Sequence, residues 1–162
     1  MLAFLVSAVS VLLAMAFAAI WGAQLFDTAV LVPVFASEPP KSLVEWLATP
    51  YPMRVVGFFR IVVPSVWVAA VIALVVAVAT GLRMHLAMAV ASVFGLVHMA
   101  MVVLIFIPTN RKLGFHPGGP SASSLDPQMV TTLVLRWGRW NFVRLGVETA
   151  GLIAALFAVK AS

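Results

Sequence analysis

The chain has 162 residues, of which 64% are hydrophobic and 9% are charged, and its formal net charge is +5. A soluble domain is about half apolar and about a quarter charged, so this balance indicates a chain that is solvated by lipid. The absence of cysteine excludes disulfides, iron–sulfur clusters, thiolate metal sites and a cysteine nucleophile. No basic run is interleaved with aromatic residues, so nucleic acid is not expected as a partner.

Four apolar segments are long enough to cross a bilayer, which takes roughly 20 helical residues. We predict helices at about 3–30, 55–80, 84–107 and 127–160. Asp126 followed by Pro127 has the form of an N-cap before the fourth helix, and Pro108 is predicted to end the third. The sequence therefore predicts an all-α integral membrane protein, a four-helix bundle that occupies 1–162 as a single domain.

The connections between these segments are unequal in length. Residues 80–83 (TGLR) form a tight turn, so the second and third helices are antiparallel neighbours and both long loops lie on one side, here called the loop side. The first loop contains the capping-box pattern Ser42-Leu43-Val44-Glu45, which predicts a short interfacial helix ending before Pro50. The third loop holds Pro117-Gly118-Gly119-Pro120 and is not expected to be helical throughout; His116 within it could fold over as a lid.

Basic residues near the helix ends are more numerous on the loop side than on the other. The loop side carries Lys41, Arg54, Arg111, Lys112, Arg136 and Arg139, and the other side carries Arg83 and Lys160. The positive-inside rule then places the loops in the cytoplasm, and the predicted location is a bacterial cytoplasmic membrane.

Polar residues within the apolar segments need an explanation, because a charge at the bilayer centre costs at least about 2.5–3.5 kcal/mol. The residues concerned are Gln24, Asp27, Arg60, His98, Asn110, Asn141, Arg144 and Glu148. Counted from the loop side at about 1.5 Å per residue, His98 and Glu148 lie roughly 14–17 Å deep, close to the midplane. The others are expected to form a layer nearer the loops.

Spacing along the fourth helix points the same way. Trp137, Asn141, Arg144 and Glu148 follow the i, i+4, i+7, i+11 pattern of one helix face, and Trp140 borders that face. We therefore expect a funnel that opens to the loop side, with tryptophans at its rim and a histidine–carboxylate pair at its floor.

Such a pocket suits a flat, apolar molecule from the membrane. Arg60 and Arg144 would hold a phenolate or enolate, and His98 or Glu148 would remove a proton. The predicted substrate-binding residues are Asn110, Asn141, Trp137, Trp140, Gln24 and Asp27.

Each of these residues also has a purely structural interpretation. Arg144 and Glu148 could neutralise each other, Asp27 could pair with Arg60, His98 could bond to a carbonyl, and Asn110 could cap the third helix. The glycines at 22, 57, 95, 146 and 151 would allow close helix packing, within the chain or in a homodimer.

Four motifs resemble a known family. Residues 108–113 (PTNRKL) have the form P-x-N-x-x-L, and residues 136–144 (RWGRWNFVR) have the form R-W-x-x-x-N-x-x-R. Residues 22–26 (GAQLF) and 32–40 (VPVFASEPP) add to them. The chain resembles the anthrone oxygenase-like family of small four-helix membrane proteins.

The resemblance implies a four-helix membrane fold. It also implies oxidation of polycyclic anthrones to anthraquinones with molecular oxygen, without flavin or haem. Asn110, Trp137, Asn141 and Arg144 would be the family's polar signature in this chain.

Three hypotheses follow from the sequence. The first is an oxygenase acting on an apolar aromatic or phenolic, anthrone-like substrate without a cofactor. The second binds a single copper or iron ion, with His98 and Glu148 as ligands and Asp27 or His116 as further candidates. The third is a small membrane transporter or a non-catalytic partner subunit. Membrane lipids and a small aromatic molecule are the expected partners, and a homodimer is possible in each case.

Overall fold

A computed structural model describes residues 1–115, 124 and 126–162, and these residues contain helices and no strand. The helices are α1 (Leu2–Ser37), α2 (Lys41–Leu47), α3 (Tyr51–Thr80), α4 (Leu86–Lys112) and α5 (Pro127–Ala161). All but α2 are long and apolar enough to cross a membrane, so the predicted fold class is confirmed. His116 and the Pro/Gly-rich segment that follows it lie outside the described residues.

The four long helices pack in a closed ring. α1 packs against α3 and α5, and α4 packs against the same two helices from the other side. Small side chains such as Ala70, Ala77 and Ala155 are fully buried in the half of the bundle away from the loops. A second cluster at the loop side contains larger rings, among them Phe35 and Trp137. The bundle is therefore closely packed at one end and wider at the other.

Glycines permit the close packing in the narrow half. A Cβ added to Gly95 would lie 2.5 Å from the Cβ of Ala70, and one added to Gly151 would collide with the ring of Phe17. The packing role predicted for these two glycines is confirmed within the bundle. At the remaining three predicted positions, Gly22, Gly57 and Gly146, an added Cβ would meet no atom within 4 Å.

Gly95→Ala is therefore expected to destabilise the bundle by about 1–3 kcal/mol, since overpacking forces a helix shift. Gly146→Ala is the matched control, because it makes the same substitution on a helix surface with free space. Denaturant unfolding in detergent measures both. Adding Ala70→Gly to Gly95→Ala should recover stability, and equal stability of the two alanine variants would contradict the contact.

Two π-helical segments extend α1 and α4 past prolines. They span Asp27–Leu31 in α1 and Val102–Phe106 in α4, and each is followed by a proline at the second position of the next turn. The N–H of Val32 bonds to the carbonyl of Asp27, five residues back. This wider turn accommodates a proline, which lacks an N–H and crowds an ordinary helical turn. The predicted end of the third helix at Pro108 is therefore wrong, because that helix continues to Lys112.

The starts of α5 and α2 gave different outcomes. The Asp126 side chain accepts a hydrogen bond from the N–H of Gln128, with Pro127 at the first helical position, as predicted. The short helix of the first loop is also present, but its capping box is not. α2 begins at Lys41 with Pro40 as N-cap, and the Ser42 hydroxyl instead donates to the carbonyl of Phe35.

Candidate functional site

A cavity of about 300 Å³ lies among the four long helices in the wider half of the bundle. Its walls are mainly apolar, as expected of a small-molecule site. The aromatic residues lining it are Phe35, Trp46, Phe59, Trp67, Phe106, Phe115 and Trp137. Its polar lining comprises Asp27, Arg60, Asn110, Asn141 and Arg144. Five of the predicted site residues therefore meet at one cavity, together with the predicted Trp137.

Arg144 is the central charge of this wall. Its Nη2 lies 3.6 Å from Oδ2 of Asp27, and its Nε lies 3.5 Å from Oε1 of Glu148. Its guanidinium carbon is 4.2 Å from the ring centroid of Phe106 and 5.7 Å from that of Phe59. Held between two carboxylates and two rings, the guanidinium presents a positive charge to a mainly apolar cavity.

His98 and Glu148 form the predicted pair, deeper than Arg144. The Nε2 of His98 lies 3.3 Å from Oε1 of Glu148, and both side chains have no exposed surface. The geometry falls short of a hydrogen bond, and neither imidazole nitrogen has a hydrogen-bond partner among the described residues. Neither residue belongs to the cavity lining. Glu148 therefore reaches the cavity only through Arg144.

The adjacent part of the wall is formed by the Asn141 amide, which is hydrogen-bonded to the amide of Gln24. The Nε2 of Gln24 donates to Oδ1 of Asn141 at 2.7 Å and to the hydroxyl of Thr28 at 3.1 Å. Asn141 in turn donates to the backbone carbonyl of Trp137 at 2.8 Å. Gln24 does not line the cavity, so it orients Asn141 from behind.

The aromatic cluster Phe35, Trp46, Phe115 and Trp137 covers the cavity at the loop side. Ring centroids lie 5.1 Å apart for Phe35–Trp46 and between 5.7 and 6.1 Å for the other contacting pairs. Trp46, on the short helix α2, packs against Phe35 and Phe115 in this cluster. This cluster occupies the position at which the sequence predicted the opening of the funnel.

The cavity instead opens beside α3. The lining residues that remain exposed are Arg60 and Pro64, and both belong to this helix. Between Pro52 and Val62, α3 has no buried residue, so its loop-side half stands away from the bundle.

Several alternatives from the sequence can now be decided. Asp27 pairs with Arg144, and no ion pair between Asp27 and Arg60 occurs among the residues described. Asn110 lies inside α4 and lines the cavity, so its side chain does not cap the helix end. Trp140 is half-buried against the loop-side cluster and is not part of the cavity lining.

Two of the predicted metal ligands, His98 and Glu148, are neighbours in the structure, and His116 lies outside the described residues. In the described part of the chain, no three residues of the types His, Cys, Asp and Glu come together. One of these candidate ligands, Glu148, also adjoins the Arg144 guanidinium, whose positive charge opposes a bound cation.

The sequence model of the anthrone oxygenase family matches residues 53–154. The chain belongs to the anthrone oxygenase family. The matched segment contains Arg60, Asn110 and Arg144, whereas Gln24 and Asp27 on α1 precede it. No curated protein and no solved structure was found to match the chain.

In this anthrone oxygenase family member, the sequence reasoning missed several lining residues. Phe59, Trp67 and Phe106 contribute rings to the cavity, but in the sequence they lie within apolar runs that predict only lipid or core contacts. Spacing on α3 offered one signal: Phe59, Val63 and Trp67 recur every four residues, and Phe59 directly precedes Arg60.

Proposed function

We propose that the protein is a membrane oxygenase that oxidises an apolar, phenolic aromatic molecule of the anthrone type with molecular oxygen. One observation carries this proposal: the Arg144 guanidinium and the Asp27 carboxylate meet on the wall of a cavity lined by seven aromatic residues. The rings suit a flat apolar substrate, the guanidinium suits its anion, and the carboxylate suits proton removal.

The first step is removal of a proton from the substrate's methylene carbon. Asp27 is the carboxylate among the described lining residues, so we assign it as the base. When Asp27 takes the proton it loses its negative charge, and the positive charge of Arg144 then faces the new enolate. The total charge of the wall and the substrate together is unchanged in this exchange, which avoids an unpaired charge in a medium of low dielectric constant.

Oxygen then reacts with the enolate. The enolate gives one electron to O₂, and the two radicals combine to form a C–O bond, which leaves a peroxide anion. This anion takes back the proton held by Asp27, and the resulting hydroperoxide loses water to leave a carbonyl. One CH₂ group and one O₂ give one C=O and one H₂O, so the reaction needs no external reductant. Arg60 at the opening would attract the phenolate, and Asn110 and Asn141 would orient the ring system.

His98 and Glu148 hold Arg144 in place in this scheme. The sequence-based prediction that one of them is the base would require proton transfer past Arg144, because neither residue lines the cavity. As part of the proposal, the protein resides in a bacterial cytoplasmic membrane with the loops inside, which the basic residues on the loop side support.

Purified protein in lipid nanodiscs should convert a hydroxyanthrone into the quinone with one O₂ consumed per quinone. An oxygen electrode and quinone absorbance measure this, with protein-free nanodiscs as the control for spontaneous oxidation. Copper and iron are determined in the same sample and in Glu148→Ala. A rate equal to the protein-free rate would contradict the proposal, and stoichiometric metal that is lost in Glu148→Ala would replace it by the metal-dependent hypothesis.

A further inference from the structure

Access to the cavity is set by two features already described. The loop side is covered by the aromatic cluster Phe35, Trp46, Phe115 and Trp137, three members of which are at most 9% exposed. The exposed lining residues, Arg60 and Pro64, both belong to α3, at the edge of the cavity. Arg60 lies roughly 14 Å along α3 from Tyr51 at about 1.5 Å per residue, which places it within the apolar length of that helix.

Arg60 is an unusual residue for such a position. It is exposed on a membrane-spanning helix, and it forms no ion pair with any residue in the described ranges. An unpaired charge at this depth is costly and marks a functional site by default. An acidic hydroxyl on an otherwise apolar molecule would pair with it.

Gly57 borders the same opening. It directly follows the lining residue Val56 and precedes Arg60 by three positions, so it shares a helix face with Arg60. An added Cβ there would meet no atom within 4 Å, so packing does not require glycine at this position. Because glycine has no side chain, nothing at position 57 obstructs the opening where a ligand would pass.

We propose that the substrate enters sideways from the bilayer, through a portal bounded by Val56, Gly57, Arg60 and Pro64. Arg60 selects molecules that carry an acidic hydroxyl as they arrive from the lipid. This inference rests on the proposed function for the kind of ligand, but the route itself is independent of the oxidation step.

The test narrows the portal without altering the cavity. Gly57→Phe adds a ring at the rim, and Gly146→Phe adds the same ring to a helix surface with equal free space. The probe is 1,8-dihydroxyanthraquinone, which cannot be oxidised at the methylene position. Its binding to protein in nanodiscs is followed by quenching of tryptophan fluorescence in stopped flow, since Trp67 and Trp137 line the cavity.

Gly57→Phe is expected to slow association and dissociation of the probe at least tenfold each, with Kd nearly unchanged. A blocked route changes both rates together, whereas a damaged site raises Kd. Gly146→Phe should match the unsubstituted protein. Unchanged rates in Gly57→Phe, or equal slowing in both variants, would overturn the portal. Because the probe does not react, slowing specific to Gly57→Phe supports the portal even if no anthrone is oxidised.

Discussion

Replacing Arg144 by methionine is expected to lower the free energy of unfolding by about 3–5 kcal/mol, the usual cost of leaving a buried charge without its partner. Arg144 approaches both Asp27 and Glu148 within 3.6 Å, and all three side chains are at most 8% exposed. Methionine fills a similar volume but supplies no charge, so the two carboxylates would face an apolar region unpaired. Denaturant unfolding in detergent, followed by circular dichroism, measures the loss.

Two further variants isolate the charge effect. Arg139→Met removes an exposed arginine from the same helix and should change stability by less than about 0.5 kcal/mol. The triple variant Asp27→Asn, Arg144→Met, Glu148→Gln removes all three charges and should recover most of the stability. If Arg144→Met were as stable as Arg139→Met, the ion pairs would not contribute to the fold.

Asp27→Asn is expected to reduce turnover of a hydroxyanthrone by about 10²–10⁴-fold, the usual contribution of a general base. Asparagine has nearly the same shape, so the cavity should keep its form and its affinity for 1,8-dihydroxyanthraquinone. The loss should therefore appear in kcat, with little change in the Kd of the probe. Oxygen consumption and probe titration on the same preparation give the two quantities.

His98→Gln distinguishes between the two possible bases. If Asp27 is the base, His98→Gln should lower turnover less than Asp27→Asn does, because His98 acts through Glu148 and Arg144. Loss of turnover in His98→Gln with activity retained in Asp27→Asn would instead assign the base to the buried pair His98 and Glu148, as the sequence predicted. Thr149→Val, a substitution on α5 outside the cavity lining, serves as the control.

Much of the fold and one wall of the site could be predicted from spacing alone. Because lipid requires long apolar helices, the four spans could be identified from hydropathy and length. The helical repeat of 3.6 residues brings Trp137, Asn141, Arg144 and Glu148 to one face. All four are buried in the structure. Counting residues from the loop side also paired His98 with Glu148, since rise per residue is nearly constant along a helix.

Spacing alone could not predict how each helix is rotated about its own axis relative to its neighbours. Depth placed Asp27 level with both Arg60 and Arg144, and only the packed bundle shows that Arg144 is the partner. The same limit applied to the aromatic residues, because Phe106 and Trp67 in apolar runs look alike whether they face lipid or a cavity. The cavity opens on the side where the loop-side half of α3 stands away from the bundle, and no local sequence pattern predicts this separation.

The π segments have a consequence for how related chains are compared. A helix turns by about 100° per residue, and a π turn holds one extra residue without ending the helix. Deletion of a single codon within 102–106 would leave α4 helical but rotate everything after it, carrying Asn110 away from the cavity. The same applies to 27–31 and Phe35. In an alignment, a related chain with a one-residue gap at either place would therefore be expected to keep the fold but lose this site.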